Sequence, residues 1–130
     1  MNLRERHLNR AEKNIELSRI IVEQLEDFYG WAVTVLYYSA VQYVDAYRLQ
    51  VNDSSYHNPE NFGGYERARS RLVRRNLPSI ADHFFKLRTE SRRARYEPED
   101  VFTADDVERL RQTEFEPIRQ TIYSLLQSPT

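Results

Sequence analysis

The sequence contains no cysteine among its 130 residues. A disulfide framework, a metal site built on thiolates and a cysteine nucleophile are therefore all excluded. No segment approaches the roughly 18 consecutive apolar residues that a membrane-spanning helix requires. Residues 1–7 are charged and lack the apolar core of a secretory signal. We therefore expect a cytoplasmic protein with no membrane association.

Glycine is scarce, with three residues in the whole chain. The pair at Gly63 and Gly64 has no preceding strand and lacks the Gly-x-x-x-x-Gly-Lys-Ser/Thr spacing of a phosphate-binding loop. The three histidines, His7, His57 and His83, lie far apart along the chain and form no His-Glu-x-x-His pair. We therefore expect neither a bound metal nor a cofactor.

What the sequence does contain is a high density of charge. Charged residues make up 30% of the chain, hydrophobic residues 40%, and the mean hydropathy is -0.76. The apolar residues must then be concentrated on the faces of helices. A chain of this length fits one unit with its own core, so the composition predicts a single domain over residues 1–130.

Two long helices are predicted in the first half of the chain. Apolar residues recur at steps of three and four from about Leu3 to Phe28, which indicates an amphipathic helix. Gly30 is expected to end that helix as a C-cap with positive φ. The next segment, residues 31–50, begins at Trp31 and is apolar on almost every side. A helix of this kind is usually buried by several neighbours or by a second subunit.

Turn formers from Val51 to Gly64 predict a loop that carries His57. Two shorter helices are expected to follow. The helix at about 65–75 should turn Ala68, Leu72 and Tyr65 inward, and the helix at about 78–95 should carry Ile80, Phe84, Leu87 and Ala94 on one face. A Thr-x-x-Asp capping box at 103–106 starts the last helix, which Pro117 should kink or split. The pattern predicts an all-α fold, an antiparallel up-and-down helical bundle of four main helices plus a short extra helix.

Charge is distributed unevenly along the chain. The net charge is −3 over residues 1–64, +7 over residues 65–96 and −5 over residues 97–130. The basic middle segment is either a binding surface for phosphates or an acidic partner, or a solvated helix whose arginines pair with neighbouring acids. Its tyrosine-rich neighbour, the second helix, could supply rings that stack on bases, although the tyrosines and arginines lie on different helices.

Asp45 is the one acid between Asp27 and Asp53, on the apolar second helix. Burial of an unpaired carboxylate would cost several kcal/mol or force it neutral, so Asp45 should be paired or face a groove. We expect its partner to be one of the late arginines of the fourth helix, which are Arg92, Arg93 and Arg95. Asp45 then either makes a structural ion pair or orients an arginine or histidine in a site.

Two motifs resemble a known family. The run Trp31-Ala-Val-Thr-Val-Leu-Tyr-Tyr-Ser-Ala40 with Tyr43-Val-Asp-Ala46, and later Ser91-Arg-Arg-Ala-Arg-Tyr96, is similar to a HEPN domain. The resemblance covers about residues 8–125. It implies an antiparallel helical bundle, commonly a homodimer with a cleft between protomers. Members include metal-independent ribonucleases of toxin–antitoxin and antiviral systems and non-catalytic binders of RNA, nucleotides or protein partners.

The catalytic members carry an arginine and a histidine separated by four to six residues, and this chain has no such pair. Arg75 and His83 have seven residues between them and Arg48 and His57 have eight. The resemblance therefore favours a homodimer that binds RNA, a nucleotide or a protein partner encoded nearby. The expected binding residues are Arg92, Arg93, Arg95, Tyr96 and His57.

Two alternatives stay open. One is a metal-independent ribonuclease with a non-standard site, for which the catalytic candidates are His57, His83 and Asp45. Histidine has the pKa for acid–base work and arginine can stabilise a charged phosphate, so either histidine would have to approach Arg92 or Arg95. The other alternative is a purely structural dimerisation module.

Overall fold

The computed structural model describes residues 1–51, 62–97 and 101–127, and every regular element in these ranges is helical. The all-α prediction is confirmed. The elements, in chain order, are α1 (Leu3–Gln24), α2 (Tyr29–Gln50), α3 (Phe62–Asn76), α4 (Ala81–Tyr96), α5 (Ala104–Leu110), a π-helical turn (Arg111–Phe115) and α6 (Glu116–Gln127). Most of the predicted loop, with His57, lies outside the described residues.

The boundary between α1 and α2 differs from the prediction. Helix α1 starts at an Asn2 cap whose side chain accepts from the Glu5 backbone N–H, and it ends at Gln24, four residues early. The residue with positive φ is Asp27, at 72°, whereas Gly30 is inside α2. Aspartate tolerates the left-handed region better than most residues, so the reversal occurs before Gly30 and needs no glycine.

Helices α1 and α2 form an antiparallel pair. Arg4 near the start of α1 donates to Gln50 at the end of α2, at 2.9 Å. Farther along, Ser39 Oγ donates to the Ala11 carbonyl at 2.8 Å and Ser18 Oγ to the Ala32 carbonyl at 3.1 Å. These small side chains bond to backbone across the interface, which places the two helices in close contact.

Helix α2 is the centre of the core. Its buried residues are Ala32, Val33, Thr34, Leu36, Tyr37, Ser39, Ala40, Val41, Tyr43, Val44, Asp45, Ala46, Tyr47 and Arg48. Helices of the same chain provide this burial, and Tyr37, for example, packs its ring 5.7 Å from that of Phe84 in α4. Two aromatic residues expected inside are instead at the surface, because Trp31 is 59% exposed and Tyr38 is 43% exposed.

Helices α3 and α4 contribute the expected faces with shifted ends. Ala68 and Leu72 of α3 are buried, but Tyr65 is exposed. Ile80, the residue before α4, and Phe84 and Leu87 within it are buried as predicted. Pro78 precedes the helix within a turn closed by the Ile80 N–H to the Leu77 carbonyl, at 3.1 Å.

The last third of the chain follows the prediction closely. Thr103 caps α5, accepting from the Asp106 N–H while the Asp106 side chain accepts from the Thr103 N–H. The helix then widens into the π-helical turn and resumes as α6 at Glu116. Pro117 has no N–H for the Thr113 carbonyl and its ring crowds that carbonyl, which explains the irregular turn just before it.

Candidate functional site

Arg95 lies between two tyrosines at the surface. Its Nη1 donates to Tyr38 Oη at 2.8 Å, and its guanidinium carbon is 5.6 Å from the Tyr38 ring centroid and 5.3 Å from that of Tyr96. Tyr96 is 72% exposed. Contacts of this kind between a guanidinium and aromatic faces are attractive and fix the arginine in place. The sequence placed the tyrosines and arginines on different helices, and the fold brings one of each together.

Packing of α2 against α4 produces this meeting. Gly30, at the start of α2, lies against Ala94, near the end of α4. Arg92 and Arg95 are three residues apart on α4 and are therefore neighbours on the helix surface. We call the surface made by Tyr38, Arg92, Arg95 and Tyr96 the arginine–tyrosine face. Three of the predicted binding residues belong to it.

The late arginines of α4 differ in whether a carboxylate of the same chain is paired with the guanidinium group. Arg93 pairs with Glu90 at 2.9 Å, and its guanidinium lies 5.9 Å from the Phe102 ring centroid. Arg92 pairs with Glu66 of α3 at 2.9 Å. Arg95 makes no ion pair with a carboxylate among residues 1–51, 62–97 and 101–127, and its hydrogen-bond partner is the neutral Tyr38 hydroxyl. Arg95 is therefore the best placed of the three to meet an external anion.

Asp45 is buried and paired, but not with the predicted arginines. Its two carboxylate oxygens accept from Arg69 Nε and Nη2 at 2.9 Å each, and Arg48 Nη1 lies 3.5 Å from Oδ1. The expectation of Arg92, Arg93 or Arg95 as partner was wrong, because α3 and not the end of α4 covers this part of α2. This bidentate contact between Arg69 and Asp45 holds α3 against α2.

His83 does not stand beside the arginine–tyrosine face. His83 Nδ1 is 2.9 Å from Glu114 Oε2 in the π-helical turn. His83 and Arg92 are nine positions apart on α4, a rise of about 13 Å along the helix axis. His7 Nδ1 contacts Gln42 Oε1 at 2.5 Å. His57, the remaining candidate, lies outside the described residues.

A second polar cluster, which the sequence did not suggest, stands at a cleft between α1 and the α5–α6 segment. The cleft has a volume of about 500 Å³, an apolar floor that includes Leu36, and a rim of glutamates and arginines. Beside it Tyr43 donates to Glu12 and accepts from Arg119 Nε at 3.2 Å. Burial, reinforced by the Glu12 hydrogen bond, raises the pKa of Tyr43.

Burial also raises the pKa of Tyr37, although Arg69 and Arg88 nearby oppose the rise. Neither tyrosine is therefore disposed to act as an anion near neutral pH. Among the described residues no group of three or more His, Asp or Glu side chains could hold a metal ion. Within the same ranges no helix is both long and apolar enough to cross a membrane.

Sequence reasoning missed three residues next to the predicted site, namely Tyr38, Glu66 and Arg88. A signal for Arg88 was present, because positions 88, 92 and 95 follow the i, i+4, i+7 spacing of one helix face. Glu66 had no such signal, since its role depends on how α3 lies against α4.

No protein-family model, curated protein or solved structure matches this chain. The resemblance to HEPN domains therefore stays a prediction. Function has to be inferred from the geometry of the arginine–tyrosine face itself.

Proposed function

We propose that the chain binds single-stranded RNA through the arginine–tyrosine face. The observation that supports this most strongly is Arg95 held between Tyr38 and Tyr96, with no carboxylate paired to it among the described residues. Exposed aromatic rings stack on unpaired bases for about 1–3 kcal/mol per base, and an adjacent guanidinium meets the phosphate backbone. Tyr96 offers the more open ring, while the Tyr38 hydroxyl and ring orient the arginine.

RNA is preferred over DNA in this proposal because of the HEPN resemblance, which also implies a toxin–antitoxin or antiviral defence setting in the cytoplasm. Cleavage is not part of the proposal. His83 is bound to Glu114 and is separated from Arg92 by most of the length of α4, so one chain does not bring His83 and these arginines together. A ribonuclease would require a histidine other than His83 of the same chain, such as His57, or a histidine of another copy.

The test is a fluorescence-anisotropy titration of labelled single-stranded RNA of about ten nucleotides, the scale of known single-strand sites. We expect the double charge reversal Arg92→Glu with Arg95→Glu to abolish binding. If those two arginines each contact a phosphate, the slope of log K against log salt is about −1.4, a loss of about sevenfold between about 50 and 200 mM salt. Arg19→Glu with Arg109→Glu is the matched control, because it makes the same change in net charge at two exposed arginines that each pair with one acid of their own helix.

Two results would contradict the proposal. One is wild-type affinity in the double charge-reversal variant. The other is equal loss of affinity in the control with Arg19→Glu and Arg109→Glu, which would mean that only overall charge matters. The same samples, examined on a denaturing gel, report whether the RNA is cut.

A homodimer is a second candidate, favoured by an exposed apolar end of the bundle. Phe28, Trp31 and Val101 are each more than half exposed and line one shallow groove. Exposed apolar groups gathered in this way mark interaction sites. The mass of the protein in solution, measured across a concentration series, tests this candidate. We expect the wild-type protein to be a dimer and the double variant Trp31→Ser with Phe28→Ser to be a monomer. A wild-type protein that is monomeric at every concentration would refute this candidate.

A further inference from the structure

Glu66 joins two arginines of α4 through a single oxygen. Its Oε1 lies 2.8 Å from Arg88 Nη2 and 2.9 Å from Arg92 Nη2. Arg88 and Arg92 are one helical turn apart, so their guanidinium groups converge on one point beside α3. The two arginines thus form a fork that holds an anionic oxygen at the edge of the arginine–tyrosine face.

Arg88 is positioned by contacts other than Glu66. Its Nη1 donates to Ser70 Oγ at 3.4 Å, and its guanidinium carbon lies 6.0 Å from the Phe85 ring centroid. Within the described part of the chain Arg88 Nε has no hydrogen-bond partner. The cluster thus retains a guanidinium donor that Glu66 does not use.

A phosphate group fits this fork better than a carboxylate does. It presents more oxygens, carries as much or more charge, and matches the planar donor pattern of guanidinium groups. We propose that Arg88 and Arg92 form a phosphate-binding subsite, which the Glu66 carboxylate occupies in the free protein and from which a phosphate of the bound strand displaces it. Assignment of the phosphate to RNA depends on the function proposed above.

Displacement of Glu66 need not release α3 from the bundle. The two hydrogen bonds between Arg69 and Asp45, with Ala68 and Leu72 buried on the same helix, hold α3 to α2 independently of Glu66. Glu66 is half-exposed and can turn its side chain toward solvent. Exchange of one anion for another is then a side-chain movement, with Glu66 acting as a built-in competitor that lowers the affinity for phosphate.

The test is Glu66→Gln, which keeps the shape of the side chain and removes its charge. We expect single-stranded RNA to bind about fivefold more tightly at low salt. The slope of log K against log salt should stay near its wild-type value, because the same phosphate contacts form in both complexes and only the competition from Glu66 is removed. Glu16→Gln, which makes the same change in net charge beside Arg19 on α1, should leave both quantities near their wild-type values.

A second ligand separates this subsite from the proposed RNA function. Binding of inorganic tripolyphosphate can be measured by phosphorus NMR, and the Glu66→Gln variant should bind it more tightly than wild type. The double variant Glu66→Gln with Arg88→Gln should lose this gain in affinity. Circular dichroism checks that each variant is folded. If Glu66→Gln gains affinity for tripolyphosphate but no variant binds RNA, the subsite is supported and the RNA proposal is refuted. Arg95-dependent RNA binding with no gain from Glu66→Gln for either ligand would overturn the subsite alone.

Discussion

Replacement of Asp45 by alanine should destabilise the fold more than any exposed charge change. The side chain of Asp45 is 6% exposed and that of Arg69 is 14% exposed, so the two hydrogen bonds between them are largely screened from water. Arg48, whose side chain is fully buried, shares the same carboxylate at 3.5 Å. Asp45→Ala therefore removes one carboxylate from two guanidinium groups that have little access to solvent.

The expected cost follows from this burial. Breaking a buried ion pair by removing one partner costs about 3–5 kcal/mol. We expect about 3 kcal/mol, the lower end, because Arg69 retains some access to water. That is a large share of the roughly 5–15 kcal/mol that stabilises a typical domain. Asp45→Asn, which keeps one acceptor oxygen but no charge, should cost less than Asp45→Ala.

Urea unfolding followed by circular dichroism measures these changes as shifts in midpoint at a nearly constant slope. Glu16→Ala, which removes an exposed carboxylate from Arg19, is the control and should stay within about 0.5 kcal/mol of wild type. In Asp45→Ala, amide hydrogen exchange should accelerate more in α3 than in α1. A cost below about 1 kcal/mol for Asp45→Ala would refute the view that this pair anchors α3.

Three further outcomes are expected. The pKa values of Tyr37 and Tyr43 are raised above 10.0 in the folded protein, so these tyrosines ionise first in the unfolded chain, and their effect on the free energy of unfolding should be absent below pH 10 and become destabilising as the pH rises past 10. Urea titrations across this pH range should show a smaller fall in the free energy of unfolding for Tyr43→Phe than for wild type. An equal fall in the two proteins would contradict the raised pKa of Tyr43. Thr103→Ala should cost about 1 kcal/mol by loss of the α5 cap and Thr103→Ser should recover most of it, whereas equal stability of all three proteins would argue against the capping box. Trp31, the one tryptophan, should be quenched readily by iodide because it is 59% exposed, and protection from iodide at the lowest protein concentrations would contradict its position.

Local signals were enough to predict part of this structure. The Thr103 capping box and the buried face of Ile80, Phe84 and Leu87 depend on spacings within a single helix, and both appear where the sequence placed them. The irregular turn before Pro117 follows from the chemistry of proline alone. These features require no knowledge of how helices pack against one another.

Features that depend on packing could not be predicted in the same way. Asp45 needed a cationic partner, but residues 65–96 hold ten basic side chains, and only the placement of α3 on α2 selects Arg69. Trp31 looked like a core residue because its helix is apolar all round, yet its side chain lies on a face of α2 that the other described helices leave open, and it is 59% exposed. The contact of Tyr38 with Arg95, across 57 positions of sequence, is likewise a product of α2 packing against α4.

The central claim is that RNA bases stack on the arginine–tyrosine face. Photo-crosslinking of a single-stranded RNA that contains 4-thiouridine, followed by mass spectrometry of the digested protein, tests it most directly. We predict crosslinks at Tyr96 and Tyr38 that disappear in Arg95→Glu. Crosslinks confined to other exposed tyrosines, such as Tyr65 or Tyr123, and unchanged in Arg95→Glu would contradict the claim.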